Sequence, residues 1–357
     1  MSALTINRTS SVRVELLTAV EAQAGTLAGV RGGSVLYTAA KSVHGSAALT
    51  VTDEGQAVDW LTARIRPVLT VEGYGDTSLG VFLVSEAPEV WGGTGRTWSV
   101  KLLDKCTILD QDKVLATYAL DAGSVVTDEV VTLIESTGET NYAITPSAAT
   151  LVNPLAWPAG TTKLRIVNDL LSTINYFSLF ADGEGQYRGE PYVKPASRPT
   201  VWDFLDGSDC IYVPILTKDI DLFAIPNTFI AVGQGDGVTP ALVSTAVNAD
   251  PGSPYSTVSR GTPENPRTIA AEPELGVEVA DQATLDAYAL RRLIELTTPT
   301  ASIDIQHAFV PALAFNRAVR FRSTPAGIDA RHVVSKTEVS LDPTALVKTT
   351  LTEVVDL

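Results

Sequence analysis

Between Val12 and Lys105, apolar and polar positions alternate in short runs. They predict strands at Arg13–Leu17, Ala47–Thr52, Val68–Glu72, Leu79–Ser85 and Thr97–Leu103. The runs are separated by turn chemistry: Gly32-Gly33, Asp53-Glu54-Gly55 and Trp91-Gly92-Gly93-Thr94-Gly95. This is the pattern of an antiparallel sandwich or barrel. Trp60, Leu61 and Ile65 read either as one helical turn before Pro67 or as the entry to a strand.

The period then changes. Thr127 is placed to cap a helix with Asp128 and Glu129 in its first turn and Val130, Leu133 and Ile134 on one face, stopping near Gly138. A second helix from Thr162 carries Leu164, Val167, Leu170, Leu171 and Ile174 at three-to-four spacing. Tyr176–Phe180 and Gln186–Val193 flank Asp182-Gly183-Glu184-Gly185, a hairpin turn in which glycine supplies the positive φ. Strands resume at Ile211–Leu216, Leu222–Ile225, Phe229–Gly233 and Leu242–Val247, before a Pro-, Gly- and Ser-rich loop from Asn248 to Asn265 whose length suggests a functional or interface loop. Asp281 caps a helix bearing Leu285, Tyr288, Ala289, Leu293 and Leu296. The last strands are Ser302–Gln306, Ala318–Phe321, His332–Leu341 and Leu346–Val354. Adjacent apolar pairs, Val333-Val334 and Leu346-Val347, leave their registers open.

The fold expected is mainly β with an α+β insertion. Residues 1–111 form a first antiparallel β-barrel-like domain, 112–200 the insertion, 201–255 with 298–357 a second barrel, and 256–297 a connecting loop and helix. A chain of 357 residues is longer than one core usually serves, which favours several packed units. With 45% hydrophobic and 19% charged residues, it has the apolar surface needed to fold. The net charge of -15 argues against sequence-independent binding of phosphate backbones or anionic lipid. Local basic groups such as Arg320 and Arg322, which share a strand face, read as ion-paired surface. Cys106 and Cys210 are too few for a disulfide framework and read as buried free thiols made in a reducing cytoplasm. Met1–Val20 has no signal-peptide pattern, and prolines 146, 154 and 158 exclude a membrane helix in the charge-free run 140–162.

Catalytic chemistry is hard to find. His44, His307 and His332 lie in no metal motif and read as partly buried strand residues, and no Gly-x-Ser-x-Gly elbow occurs. Gly233-Gln234-Gly235-Asp236-Gly237 has the wrong spacing for a nucleotide loop, and Pro240 stands where a helix should open, so it reads as a hairpin or loop. The 41 acidic residues nominate no glycosidase pair. Trp60, Trp91, Trp98, Trp157 and Trp202 are too dispersed for a sugar platform and read as core or interface packing. No catalytic, cofactor-binding or metal residue is assigned.

Several stretches in order carry a family resemblance: Asp59-Trp60 to Arg64-Ile65-Arg66-Pro67, Leu79-Gly80-Val81-Phe82, Leu103-Asp104 with Leu109-Asp110-Gln111, and Leu164–Ile174 running into Tyr176–Gly183. Ile225-Pro226-Asn227, Ser253-Pro254-Tyr255-Ser256 with Arg260-Gly261, and the helix Leu285–Leu296 follow. In this order the chain resembles the baseplate or tail-tip hub proteins of tailed phages, in particular minor tail proteins of phages infecting actinobacteria. It departs after Pro311-Ala312-Leu313, where Phe315-Asn316 replaces a Gly-Asp turn, a role Asn can also fill. The resemblance implies a non-enzymatic structural protein of the virion tail tip, synthesised in the host cytoplasm. It implies a homotrimeric ring of paired barrels that meets the sixfold tube-end ring, the tape measure protein and tip, spike or fibre proteins. DNA would pass through its channel, lined with part of the surplus negative charge, without specific binding. A receptor- or carbohydrate-binding tail-tip protein and a tail-associated cell-wall hydrolase are the alternative readings.

Overall fold

Alternating burial builds most of the molecule. In the computed structural model, residues 9–39, 41–93, 95–220, 225–234, 241–279, 281–297, 301–314 and 316–354 are described. The first nine strands are β1 (Ser10–Leu17), β2 (Gln23–Thr26), β3 (Val30–Thr38), β4 (Gly45–Thr52), β5 (Arg64–Val71), β6 (Gly75–Ser78), β7 (Phe82–Glu86), β8 (Glu89–Gly92) and β9 (Gly95–Asp104). Ala47, Leu49 and Val51 of β4 and Trp98, Val100 and Leu102 of β9 point to the core, as period two requires. Gly32-Gly33 is not a separator but part of β3. A Cβ on Gly33 would stand 2.2 Å from the Ala48 carbonyl oxygen, so glycine here permits close strand approach. Trp60 and Leu61 lie in a turn, whereas Ile65 is already in β5. Pro67 sits mid-strand opposite Val14 and gives only its carbonyl, which accepts from Leu79 N at 2.9 Å. Trp91 and Gly92 finish β8, and Gly92 pairs with Gly95 across a hairpin.

The insertion comprises α1 (Cys106–Gln111), β10 (Tyr118–Leu120), α2 (Val126–Glu135), β11 (Tyr142–Ile144), β12 (Leu155–Trp157), α3 (Lys163–Thr173), β13 (Phe180–Ala181) and β14 (Tyr187–Gly189). The cap of α2 is Val125, not Thr127. Extended pairing of Val125 with Thr150 runs up to the helix start, and the Thr127 hydroxyl instead donates to the Ser147 carbonyl. Thr162 does cap α3, its hydroxyl accepting from Arg165 N at 3.2 Å. Val130, Leu133 and Ile134 of α2 and Leu164, Val167, Leu170 and Leu171 of α3 are buried in one cluster. Each large apolar side chain there contributes about 1.5–3 kcal/mol. The 182–185 turn forms as expected: Gly185 has φ +74° and donates to the Asp182 carbonyl at 2.9 Å.

The C-terminal part contains β15 (Thr200–Phe204), β16 (Thr217–Ile220), β17 (Thr228–Gly233), β18 (Val243–Val247), α4 (Thr257–Arg260), β19 (Glu274–Val277), α5 (Gln282–Thr297), β20 (Ala301–His307), β21 (Ala318–Ser323), β22 (Ile328–Ser340) and β23 (Val347–Glu353). Ile211–Leu216 is not a strand. Only Tyr212 bridges to His307, and the regular strand begins at Thr217. Of Leu222–Ile225, residues 222–224 lie outside the described residues, as do 235–237 of the Gly233–Gly237 run; Gly233 itself ends β17. β17 and β18, expected in the second barrel, instead form a separate three-stranded sheet in the order β18-β17-β19, which buries Phe229, Ala231 and Val277 against Leu285, Ala289 and Leu293 of α5. Asp281 caps α5, Oδ1 accepting from Thr284 N at 2.7 Å. Asn248–Asn265 is packed around α4, with Asn248 and Ser256 buried. Asn316 takes φ +63°, the left-handed turn expected of asparagine after Leu313.

The sheet order is β16-β20-β23-β22-β3-β4-β9-β7-β5-β1-β2, with β6, β8, β15 and β21 attached beside this path. The protein is therefore mainly β with an α+β insertion. Its two β halves share one sheet and one core, which runs from Ile65, Phe82 and Val100 to Phe204, Phe321 and Leu351.

Candidate assembly interface

No group of three or more metal-ligating side chains occurs among the described residues. The three histidines are more buried than expected. His44 precedes β4 with Nδ1 3.2 Å from the Thr38 carbonyl; His307 has Nε2 2.8 Å from Thr349 Oγ1; His332 stands edge-on to Phe321. Burial pushes His44 and His332 down, so both are held neutral. Cys106 is buried, and Cys210 is only half-buried; both are free. A cavity of about 390 Å³ opens where the insertion meets both β halves, lined by Tyr37, Phe177, Phe180, Phe309 and Leu313. Its carboxylates are occupied, Asp182 by the turn amides of Glu184 and Gln186 and Glu190 by Arg188 at 2.7 Å.

What the structure does build is a set of joints. Lys105, directly after β9, has no exposed surface. Its amine is 2.5 Å from Glu21 Oε1 and 2.7 Å from Glu139 Oε2, in ion-pair contacts rather than well-aligned hydrogen bonds. Arg64 on β5 meets the same two carboxylates at 2.7 and 2.5 Å, giving a neutral cluster of two cations and two anions. Glu139 follows α2, so the cluster clamps the insertion onto the first half. The Tyr187 hydroxyl donates to the Lys105 carbonyl at 2.7 Å. The 182–185 turn adds a hook: Ser78 Oγ donates to the Gly183 carbonyl at 2.5 Å, and a Cβ on Gly185 would strike Val81. On the far side, Arg198 donates to the Val193 and Asn316 carbonyls, and Arg291 of α5 donates to the Tyr176 carbonyl. Both guanidiniums lie over the Phe177–Tyr192 pair, joining insertion, α5 and second half. Sequence reading missed these residues. Lys105 in Leu102-Leu103-Asp104-Lys105-Cys106 was the one local signal, a charged pair in an apolar run, but its partners are remote in sequence.

Neighbouring Asp104 accepts backbone N–H bonds from Gly45 (2.5 Å) and Cys106 (2.9 Å). Burial pushes its carboxyl up to about 6, against the lowering effect of those donors. A raised carboxyl contributes most stability below its unfolded pKa of 3.8 and loses it as pH rises through about 6. Glu139 runs oppositely: burial pushes it up, but hydrogen bonds from Arg64 and the nearby charge of Lys105 hold it net below its ordinary 4.5, so its contribution is lost as pH falls. Urea midpoints measured from pH 4 to 7 should therefore acquire a steeper rise with pH in Asp104→Asn, because the opposing decline has gone. An unchanged slope would show that Asp104 does not titrate in this range.

The two β halves are sewn together by β22 and β3, in the pairs Lys336–Thr38, Thr337–Tyr37, Glu338–Leu36, Val339–Val35 and Ser340–Ser34. Val35 and Val339 face the core; the alternate residues face out. From β20 to β9 this outward face presents Asp304 and Gln306, Lys348, Lys336 and Glu338, then Ser34, Leu36, Ser46, Ala48, Thr50, Ser99, Lys101 and Leu103. Lys348 is 3.5 Å from Glu338, and Lys101 is 2.7 Å from Glu86 across β7–β9. Lys348 and Lys101 are thus ion-paired and Asp304 accepts from Thr350 Oγ1 at 2.6 Å, whereas no ion pair among the described residues holds Lys336. Arg320 and Arg322 are ion-paired as expected, to Asp329 at 2.8 Å and Asp206 at 3.4 Å. Of the five tryptophans, Trp98, Trp157 and Trp202 are buried and Trp60 packs on Trp98, whereas Trp91 is 72% exposed at the end of β8.

No family model and no curated protein sequence matches the chain. Solved structures do. A tail protein from Neisseria meningitidis MC58 is similar over 96% of this chain and 97% of its own, with TM-score 0.67 and 11% identity. The 43 kDa tail protein of prophage MuSo2 from Shewanella oneidensis covers 96% and 98%, with TM-score 0.65 and 12% identity. Prophage tail protein gp18 from Listeria monocytogenes EGD-e covers 95% and 94%, with TM-score 0.57 and 13% identity. The chain thus has the fold of phage tail proteins over nearly its whole length. None of the three comes from a phage of actinobacteria, so that narrower resemblance rests on the sequence stretches alone.

Proposed function

We propose that the chain is the structural, non-enzymatic hub of a bacteriophage tail tip. In this reading three copies form a ring that joins the sixfold tail tube to the distal tip, with the tube-end ring, tape measure protein and tip, spike or fibre proteins as partners. The observation that carries it is the sewing of two β halves into one sheet by β22 and β3, within a fold that matches phage tail proteins end to end. Two barrel-like halves per chain let three chains present six modules to a sixfold tube. A channel lined with part of the chain's surplus negative charge would let DNA slide without being held by phosphate contacts. Light scattering of the purified chain at micromolar concentration should give the mass of a trimer, and electron microscopy a ring with a central channel. A monomer at that concentration, and no ring at the tail tip of particles, would overturn the proposal.

A further inference from the structure

We infer that the cavity between the insertion and the two β halves is a binding site for a small free acid with an apolar body and a single carboxylate. The site stands whether or not the chain forms a ring. Its volume of about 390 Å³ lies in the range of pockets that hold small ligands. Val35, Val310, Val339 and Val347 of the shared core line its buried part, and the half-buried rings of Phe177, Phe180 and Phe309 extend the apolar lining outward. The exposed lining residues are Pro191, Val193, Pro199, Ala314 and Arg317. Four of these are apolar, and Arg317 carries the charge.

In this lining the charges do not balance. Arg188, Arg198 and Arg317 stand against Asp182 and Glu190, one positive charge in excess on a chain whose net charge is -15. Glu190 is taken by Arg188 at 2.7 Å, and Asp182 by the amides of Glu184 and Gln186. Arg198 is buried, yet its partners are neutral, the carbonyls of Val193 at 2.8 Å and Asn316 at 3.0 Å. Glu295, the acid nearest in effect, is already shared by Arg291 and Arg292 at 2.7 Å each. No ion pair among the described residues holds Arg317. The two arginines meet at one place, because Arg198 bonds the Asn316 carbonyl and the left-handed turn at Asn316 leads directly into Arg317. The Arg198 guanidinium also lies 5.1 Å from the Phe177 ring, a wall of the cavity, so it is fixed before any ligand arrives and loses little freedom on pairing.

A buried cation left without an anion costs stability, which an entering anion recovers. One excess charge calls for a monoanion, and a planar guanidinium matches the two oxygens of a carboxylate. The mouth favours a free acid over the carboxyl end of a peptide. A peptide brings amides that need partners on burial, and Pro191 and Pro199 offer no N–H.

The test titrates the full chain by calorimetry with decanoate, with decan-1-ol, and with the tetrapeptide acetyl-Gly-Gly-Phe-Leu bearing a free carboxyl. Decanoate should bind once per chain, at least about tenfold tighter than the alcohol. Arg317→Glu, at an exposed position, should weaken decanoate at least about tenfold while leaving the alcohol's affinity and the thermal midpoint of the ligand-free chain unchanged. Ala314→Trp at the mouth should abolish binding of both. Equal affinity for acid and alcohol, or decanoate binding indifferent to Arg317→Glu, would show that the arginines read no charge and would overturn the inference. So would the absence of decanoate binding. A peptide that binds tighter than decanoate would assign the cavity to the chain end of a partner protein and overturn the free acid.

Discussion

Lys105→Met should lower the stability of the folded chain by about 3–5 kcal/mol, the usual cost of removing one partner from a buried ion cluster. Lys105 is fully buried between Glu21 and Glu139, and methionine fills a similar volume without a charge. Arg64 alone would then face both carboxylates, leaving one net negative charge in a site with little water. Because the cost is that of imbalance, Lys105→Met combined with Glu139→Gln should lose less than the sum of the two single changes. Urea unfolding of the four proteins measures this directly. A Lys105→Met midpoint within 1 kcal/mol of the parent would mean that water reaches the cluster. Since the cluster bridges insertion and first half, early proteolysis between Asp112 and Val126 is the accompanying sign of a loosened clamp.

Phe321→Ala should cost about 3–5 kcal/mol, as expected for emptying a large buried aromatic site. Phe321 has no exposed surface and touches three other rings, Phe204 at 6.4 Å, Tyr212 at 5.0 Å and His332 at 6.0 Å. Its position in the second half gives the result a further meaning. If the β22–β3 seam and the shared core make the halves one cooperative unit, calorimetry should show a single transition moved to lower temperature. Separation into two transitions, with the first half unchanged, would mean that the halves fold independently despite the seam.

How far these features were legible depended on how local their cause was. α3 was readable because its cap, apolar stripe and stop all lie within one segment, and the 182–185 hairpin because glycine fixes the turn. β3 was not, since Gly32-Gly33 carries turn chemistry and its reason, the close approach of β4, lies in another strand. Thr127 was misplaced as a cap because Val125 is held by Thr150, which no local pattern reveals. Tyr212 packs into the aromatic cluster without forming a strand, so an apolar run around it imitated one. The joints were least legible of all: Glu21, Arg64, Lys105 and Glu139 each look like ordinary charged residues until the fold brings them together. Trp91 was visible as a residue but not as an exposed one, because neither spacing nor composition distinguishes it from Trp98.

The β22–β3 seam also has a mechanical reading. Two domains joined by a linker would behave as beads on a hinge, and an impulse reaching one would be spent in bending the connection. Five consecutive residue pairs on a common pleat make a plate instead. Loaded along the strands, their hydrogen bonds share the shear and yield together; only a pull across the strands would part them one by one, as a zipper opens. A body built this way transmits displacement from one rim to the other with little delay or loss.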